Sequence, residues 1–150
     1  MEWKDVPAEE AAQNKYFGLG GWLLLFYVLA VLAFLGSFMS LFGVSQFQQL
    51  YGNKYAILLG LAIVQAILQL PFIVLAPKKS PQMPKAVISA YWLGVSLSAI
   101  VAIIVGPGQM LPQLIIGVVY VALLQLYFKK SRRVNVTYLR RVPAEESAAA

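Results

Sequence analysis

The stretch AVISAYWLGVSLSAIVAIIV, residues 86–105, runs its whole length without a charged side chain. At 1.5 Å per residue, a helix of about 20 residues spans the roughly 30 Å hydrocarbon core of a bilayer. Three further apolar segments resemble it, at about residues 19–44, 56–76 and 111–128. Four such helices take up most of the chain and leave no polar faces for water. The sequence therefore predicts an all-α, polytopic membrane protein: a four-transmembrane-helix bundle with short loops.

The composition agrees with a membrane protein and argues against an enzyme. The chain is 60% hydrophobic and 12% charged, and it has neither His nor Cys. All six carboxylates lie at the ends of the chain, at Glu2, Asp5, Glu9, Glu10, Glu145 and Glu146. The usual ligands of haem, zinc and iron-sulfur centres are thus missing, as are the usual acid-base groups. We expect no catalytic residue, no metal site and no cofactor.

Two flanking regions complete the predicted organisation. Residues 1–18 form an N-terminal segment in which Pro7 and the acidic pair that follows it suit a short interfacial helix. Residues 129–150 form a basic tail after the last span. Between the last two spans, the sequence GPGQMLP predicts a tight turn.

The basic residues indicate how the chain is oriented. With four spans, eleven of the twelve lie on the side of the two termini, and Lys54 lies alone on the other. The eleven are Lys4, Lys15, Lys78, Lys79, Lys85, Lys129, Lys130, Arg132, Arg133, Arg140 and Arg141. Because basic loops stay in the cytoplasm, this distribution predicts that both termini are cytoplasmic.

The tail also suits anionic lipid headgroups, which clusters of four to eight Lys or Arg after a span attract. The predicted contacts are Lys129, Lys130, Arg132, Arg133, Arg140 and Arg141. Nucleic acid is not expected, since no recognisable binding module surrounds these charges. The tripeptide Asn135-Val136-Thr137 has the form of a glycosylation sequon, but a cytoplasmic tail is not glycosylated, so we interpret it as coincidence.

A ridge of small residues follows the third segment. Ala86, Ala90, Gly94, Ser98, Ala102 and Gly106 recur at every fourth position. Such spacing lets helix backbones approach closely inside a membrane. The ridge can pack within one chain, which we favour, or form a dimer interface.

A patch of polar residues is the candidate site inside the bundle. Gln65 and Gln69 lie one turn apart on one helical face, and Gln125 and Ser98 are candidate neighbours. These residues can bind a small ligand, or they can serve only as hydrogen bonds between helices, the interpretation we favour from sequence.

Two short motifs resemble a known family. GLGGWLLLF opens the first span, and YFKKSRRVNVTY closes the last. With four spans, these stretches resemble a family of small bacterial inner-membrane proteins catalogued as a domain of unknown function, which has a Gly-Gly-Trp-Leu start and a Ser-[Lys/Arg]-Arg-Val end. The matching positions are Gly20, Gly21, Trp22, Ser131, Arg132, Arg133 and Val134. The resemblance implies a bacterial cytoplasmic (inner) membrane but no activity.

Two hypotheses on function follow. The first is a non-enzymatic accessory or scaffold component of a membrane assembly, whose partners are membrane lipids and either another membrane protein or a second copy of the chain. The alternative is a small carrier or lipid-handling protein that uses the polar patch. A continuous polar cavity that reaches one membrane face would favour the carrier, and a solid apolar bundle would favour the scaffold.

Overall fold

The computed structural model describes residues 3–39, 42, 48–49 and 52–144. The elements are β1 (Trp3–Asp5), α1 (Ala8–Gln13), α2 (Trp22–Met39), α3 (Tyr55–Leu75), α4 (Met83–Val105), α5 (Pro107–Lys130), α6 (Arg132–Val134) and β2 (Arg141–Pro143). A 3-10 turn precedes α3, and a π-helical turn at Asn135–Leu139 follows α6. The helices α2 to α5 are long and apolar enough to cross a membrane, which confirms the predicted all-α architecture.

Glycine and proline explain where the long helices begin. The first starts at Trp22 rather than near 19, because Gly18 and Gly21 have φ values of +99° and +54°, which an α-helix does not allow. The helix continues to Met39; the part of the predicted span from residue 40 to 44 lies outside the described residues, apart from Phe42.

The last two long helices begin earlier than the sequence indicated. Met83 rather than Ala86 opens α4, and Pro107 rather than Leu111 opens α5. In both helices a proline stands within the first two positions, where its missing N–H costs nothing. The prediction that the whole stretch GPGQMLP forms a turn is therefore wrong, because the chain is helical from Pro107 onward. Gly106 alone connects the two helices, with φ +126°.

The four long helices pack in chain order, α2 on α3, α3 on α4 and α4 on α5. Aromatic side chains join the first helix to the last, since the Phe26 ring lies 6.2 Å from the Tyr120 ring and 5.2 Å from the Tyr127 ring. The main core lies in the half of the bundle next to the chain termini, around Leu23, Phe72 and Leu124. The bundle is thus most tightly closed at its terminal end.

The two ends of the chain fold together into a cap on that end of the bundle. The strands β1 and β2 pair antiparallel, with Lys4 opposite Val142. A small core of Val6, Ala11, Val136 and Val142 lies between the strands, α1 and the π-helical turn. We call residues 3–17 and 131–144 the terminal cap. The sequence indicated a short helix after Pro7 and a basic tail, but not that the two associate. The last residues of the tail, 145–150, lie outside the described residues.

Side chains of the cap anchor it to the bundle. The hydroxyl of the buried Tyr138 donates to the carbonyl of Ala76 at 3.0 Å, and Thr137 Oγ1 accepts from the Gly18 N–H at 2.9 Å. Asn135 is also buried, and its amide donates to the carbonyls of Lys129 and Ser131. Asn135 therefore holds the end of the last span in place, and Thr137 holds the chain just before the first span.

Lys54, the exception to the charge distribution, has a structural role at the opposite end of the bundle. Its ammonium donates to the carbonyl of Val105 at 2.8 Å, the last residue of α4. A cation stabilises the negative end of a helix and satisfies a carbonyl that has no partner within the helix.

Candidate functional site

A cleft of about 200 Å³ lies between α3, α4 and α5, inside the membrane-spanning region. Its walls carry Gln65 and Gln69 from α3; Tyr91, Val95 and Ser98 from α4; and Gln113, Leu114, Gly117, Tyr120 and Val121 from α5. No lining residue is charged. Gln65 stands ten residues into α3, about 15 Å along it, which is close to the middle of the hydrocarbon core.

Gln65 joins two helices through its amide nitrogen. The nitrogen donates to the carbonyl of Gly94 at 2.9 Å and to the Ser98 hydroxyl at 3.0 Å. A Cβ added to Gly94 would lie 2.8 Å from the Gln65 amide oxygen, so only glycine lets the amide approach this closely. Both N–H groups of Gln65 are therefore occupied within the protein.

Gln69 is held from the other side. The Tyr91 hydroxyl donates to its amide oxygen at 2.6 Å. The amide oxygen of Gln69 thus has a partner, whereas its amide nitrogen has no acceptor within the described part of the chain.

Gln113 and Tyr120 lie on the same side of α5, two turns apart, and both line the cleft. Tyr120 packs edge-on against Phe26 of α2. The Gln113 side chain is exposed, and we take its position to mark the open side of the cleft. The structure gives neither the Gln113 amide nor the Tyr120 hydroxyl a hydrogen-bond partner among the residues it describes.

The structure separates Gln125 from the predicted polar patch. The Gln125 amide oxygen accepts from the indole N–H of Trp92 at 3.0 Å, on an exposed part of the bundle, and Gln125 does not line the cleft. Its place is taken by Gln113, Tyr91 and Tyr120. Gln113 and Gln125 both lie on α5, and the sequence alone could not tell which of the two faces α3.

The small-residue ridge lies partly against α3. Ala90, Gly94 and Ala102 are buried, and Gly94 contacts Gln65. Ala86 and Ser98 are half-buried. Gly106 stands outside the helix and ends it, so it does not continue the ridge. The contact at Gly94 places at least this part of the ridge inside one chain.

The predicted lipid-binding residues fall into two groups. Lys129, Lys130 and Arg140 are exposed at the terminal cap and the end of α5. The other three make contacts within the protein: Arg141 pairs with Asp5 at 2.8 Å, Arg133 reaches the Gly18 carbonyl, and Arg132 lies 6.0 Å from the Tyr16 ring. Exposed ion pairs such as the first contribute little stability.

The two sequence motifs meet where the terminal cap joins the first span. Arg133, near the end of the chain, lies over Gly20, where an added Cβ would stand 2.9 Å from Nη1 of the guanidinium. Ser131 caps the short helix α6 by accepting from the Val134 N–H. Residues far apart in sequence thus form one contact at the entrance to the first span.

A family model covers this region. Residues 16–139 match the model of DUF2569, described as a protein of unknown function. The chain belongs to the DUF2569 family. This confirms the resemblance drawn from the two motifs, and the match includes all four long helices. No curated protein and no solved structure matches the chain.

The description of the DUF2569 family names no activity, so only the site indicates what this protein can bind. The cleft offers amides and hydroxyls that donate or accept hydrogen bonds, and methyl and methylene groups that suit apolar parts of a ligand. Sites for small molecules combine these two properties, a largely apolar wall with a few placed polar groups. The arrangement is suited to binding a neutral molecule rather than an ion.

Proposed function

We propose that this DUF2569 protein is a non-enzymatic membrane protein that binds a small, uncharged, lipid-soluble molecule in the cleft, as a carrier or lipid-handling protein. The observation that supports this best is that the Gln69 amide nitrogen and the Tyr120 hydroxyl line about 200 Å³ of space within the spans and have no hydrogen-bond partner among the described residues. In hydrocarbon a polar group without a partner is costly. The cleft therefore favours an occupant that supplies hydrogen bonds.

The proposal includes an orientation and a compartment. We propose a bacterial inner membrane with the terminal cap in the cytoplasm, supported by the eleven basic residues on the side of the two termini. Pairing of β1 with β2 keeps both ends of the described chain on one side of the bundle. Exposed cations such as Lys129 and Lys130 would then face anionic headgroups.

A role as an accessory or scaffold component is the second candidate. The terminal cap favours it, because a folded, cationic surface at the membrane face suits a partner protein as well as lipid. The partner would be another membrane protein or a second copy of the chain. A scaffold has no need of an occupied cleft, and this difference separates the two candidates.

The test is to identify what co-purifies with the protein from bacterial membranes in mild detergent. Extraction and mass spectrometry would compare the wild type with the double variant Gln65→Leu, Gln69→Leu. Gln125→Leu is the matched control, since it makes the same chemical change outside the cleft.

We expect a small molecule at near one-to-one occupancy in the wild type and in Gln125→Leu, and its loss from a double variant that is still folded. Wild-type occupancy in the folded double variant would overturn the proposal, because Gln65 and Gln69 would then only join helices. A protein partner at fixed stoichiometry beside an empty cleft would favour the scaffold.

A further inference from the structure

We infer that the cleft selects a ligand with hydrogen-bond acceptors: a neutral, carbonyl-bearing ring of single-ring quinone size, with its apolar chain in the bilayer. This inference rests on the proposed function and names the class of molecule that the same cleft would take. We base it on which polar groups of the cleft already have hydrogen-bond partners within the protein and which remain available to a ligand.

The amide of Gln69 determines what the deep wall of the cleft can bind. Its oxygen accepts from the Tyr91 hydroxyl at 2.6 Å, so the nitrogen, with two N–H groups, is the part available to a ligand. Gln65 contributes no further donor, because its two N–H groups bond Gly94 and Ser98, and its amide oxygen lies against Gly94, 2.8 Å from the place of an added Cβ. The deep wall of the cleft therefore presents a donor that requires an acceptor.

Two groups on α5 can complete the site. The Tyr120 hydroxyl and the Gln113 amide line the cleft, and both can donate. They stand two turns apart on one side of the helix, about 10 Å along its axis. Tyr120 stands deeper in the bundle, while Gln113 is exposed at the open side. A ring that enters past Gln113 could thus meet a donor at each end of its path.

Size and charge narrow the class further. An apolar cavity of about 150 Å³ in another protein binds benzene, so about 200 Å³ holds a single ring with its carbonyl oxygens. All lining residues are uncharged, so a phosphate or carboxylate headgroup would find no counter-ion there. The apolar chain of the ligand would leave the cleft beside Gln113 and lie among lipid tails.

The experiment uses the full-length protein in lipid nanodiscs and three probes with the same alkyl chain. The probes are an alkyl para-benzoquinone, which only accepts hydrogen bonds, the corresponding hydroquinone, which also donates, and the alkylbenzene, which does neither. Retention of each probe is measured against empty nanodiscs. The variants are Gln69→Leu, Gln113→Leu and Tyr120→Phe, with Gln125→Leu as the control.

We expect saturable binding of the benzoquinone at one site and at least about threefold weaker binding of the alkylbenzene and the hydroquinone. Each cleft variant should weaken benzoquinone binding about three- to fivefold, as the loss of one membrane hydrogen bond would, and Gln125→Leu should not. Tyr120→Phe and Gln113→Leu keep the inference testable if Gln69→Leu fails to fold.

The failures are distinguishable. If the alkylbenzene or the hydroquinone binds as well as the benzoquinone or more tightly, the acceptor inference is wrong although the cleft still binds a ligand. If cleft variants bind the benzoquinone like the wild type, the assigned donors are wrong. If none of the probes binds and nothing co-purifies in the cleft, both this inference and the proposed function fail.

Discussion

Gly94 is the residue at which packing and the candidate site meet. The Gln65 amide lies directly over it, with 2.8 Å between the Gln65 oxygen and an added Cβ. The same amide donates to the Gly94 carbonyl, so a side chain at this position would disturb both the contact and the hydrogen bond. One glycine therefore allows α3 and α4 to approach at the depth of the cleft.

We predict that Gly94→Leu lowers the free energy of unfolding by about 1 to 3 kcal/mol, the usual cost of overpacking. Thermal or denaturant unfolding in detergent would measure the loss. Gly60→Leu is the control, because an added Cβ at Gly60 meets no atom within 4 Å. Equal stability of the Gly94 variant and the control would mean that the Gln65 contact contributes nothing.

The sequence predicted part of the site at this scale. Gln65 and Gln69 were identified because residues four apart share a helical face, and Ser98 was identified as a partner. Gln125 was placed with them because the sequence does not reveal how α5 is rotated about its axis. Tyr91 and Tyr120 were missed, since tyrosines in a span also serve as anchors near the interface. Gln113 is polar like the other glutamines, but it lay in the first turn of the predicted helix and was not included in the patch.

At the scale of elements, the four spans could be predicted, because a long run of uncharged, apolar residues is enough to indicate a transmembrane helix. The residues at which the helices begin and end were harder to predict. Pro107 begins a helix where a turn was expected, since proline suits a first helical position as well as a loop. The terminal cap was not predicted. A three-residue strand such as β1 is too short to show a sequence pattern, so nothing indicated that it pairs with β2 at the far end of the chain.

Tyr138 joins the cap to the spans through its hydroxyl. The variant Tyr138→Phe removes this hydroxyl and tests what its hydrogen bond contributes. The hydroxyl donates to the Ala76 carbonyl at 3.0 Å in a buried setting. We predict that the variant loses about 0.5 to 1.5 kcal/mol of unfolding free energy near neutral pH, the net value of a typical hydrogen bond. Chemical denaturation in detergent is the measurement.

The difference in unfolding free energy between the wild type and Tyr138→Phe should depend on pH. Burial, with a smaller contribution from Tyr127, raises the pKa of Tyr138 above its usual value of about 10. The folded state thus favours the neutral phenol, so the stabilisation is complete below about pH 10 and is lost as the pH rises further. The advantage of the wild type over Tyr138→Phe should shrink above that pH. A constant difference up to pH 11 would show that the hydroxyl is not buried as described.

For the whole molecule, orientation is the first prediction. The cap holds both ends of the described chain on one side, and eleven basic residues lie on that side. We predict that a reporter fused at Ala150 gives a cytoplasmic signal and that one inserted after Asn53 gives a periplasmic signal. The reverse result would place the cap outside the cytoplasm and remove the basis for its contact with anionic lipid of the inner leaflet.

The distribution of the core is the second feature of the whole molecule. Large buried side chains gather in the terminal half of the bundle, while the cleft lies nearer the middle and has an exposed side at Gln113. The sequence could not predict this asymmetry, because all four spans are similarly apolar. A bundle that is closed at one end and opens toward lipid farther along agrees with a ligand that enters from the bilayer.

The most direct test of ligand binding is to fill the cleft. Gly117 lines it, and an added Cβ would lie at an ordinary 3.6 Å from Val95 Cγ2, so the ring of Gly117→Phe can occupy the space without disrupting the helix contact. Gly60→Phe adds the same ring where no atom lies within 4 Å. The measurement is the occupancy of the co-purified small molecule in each folded variant. We predict loss of the small molecule from Gly117→Phe and wild-type occupancy in Gly60→Phe. Undiminished occupancy in folded Gly117→Phe would contradict ligand binding in the cleft.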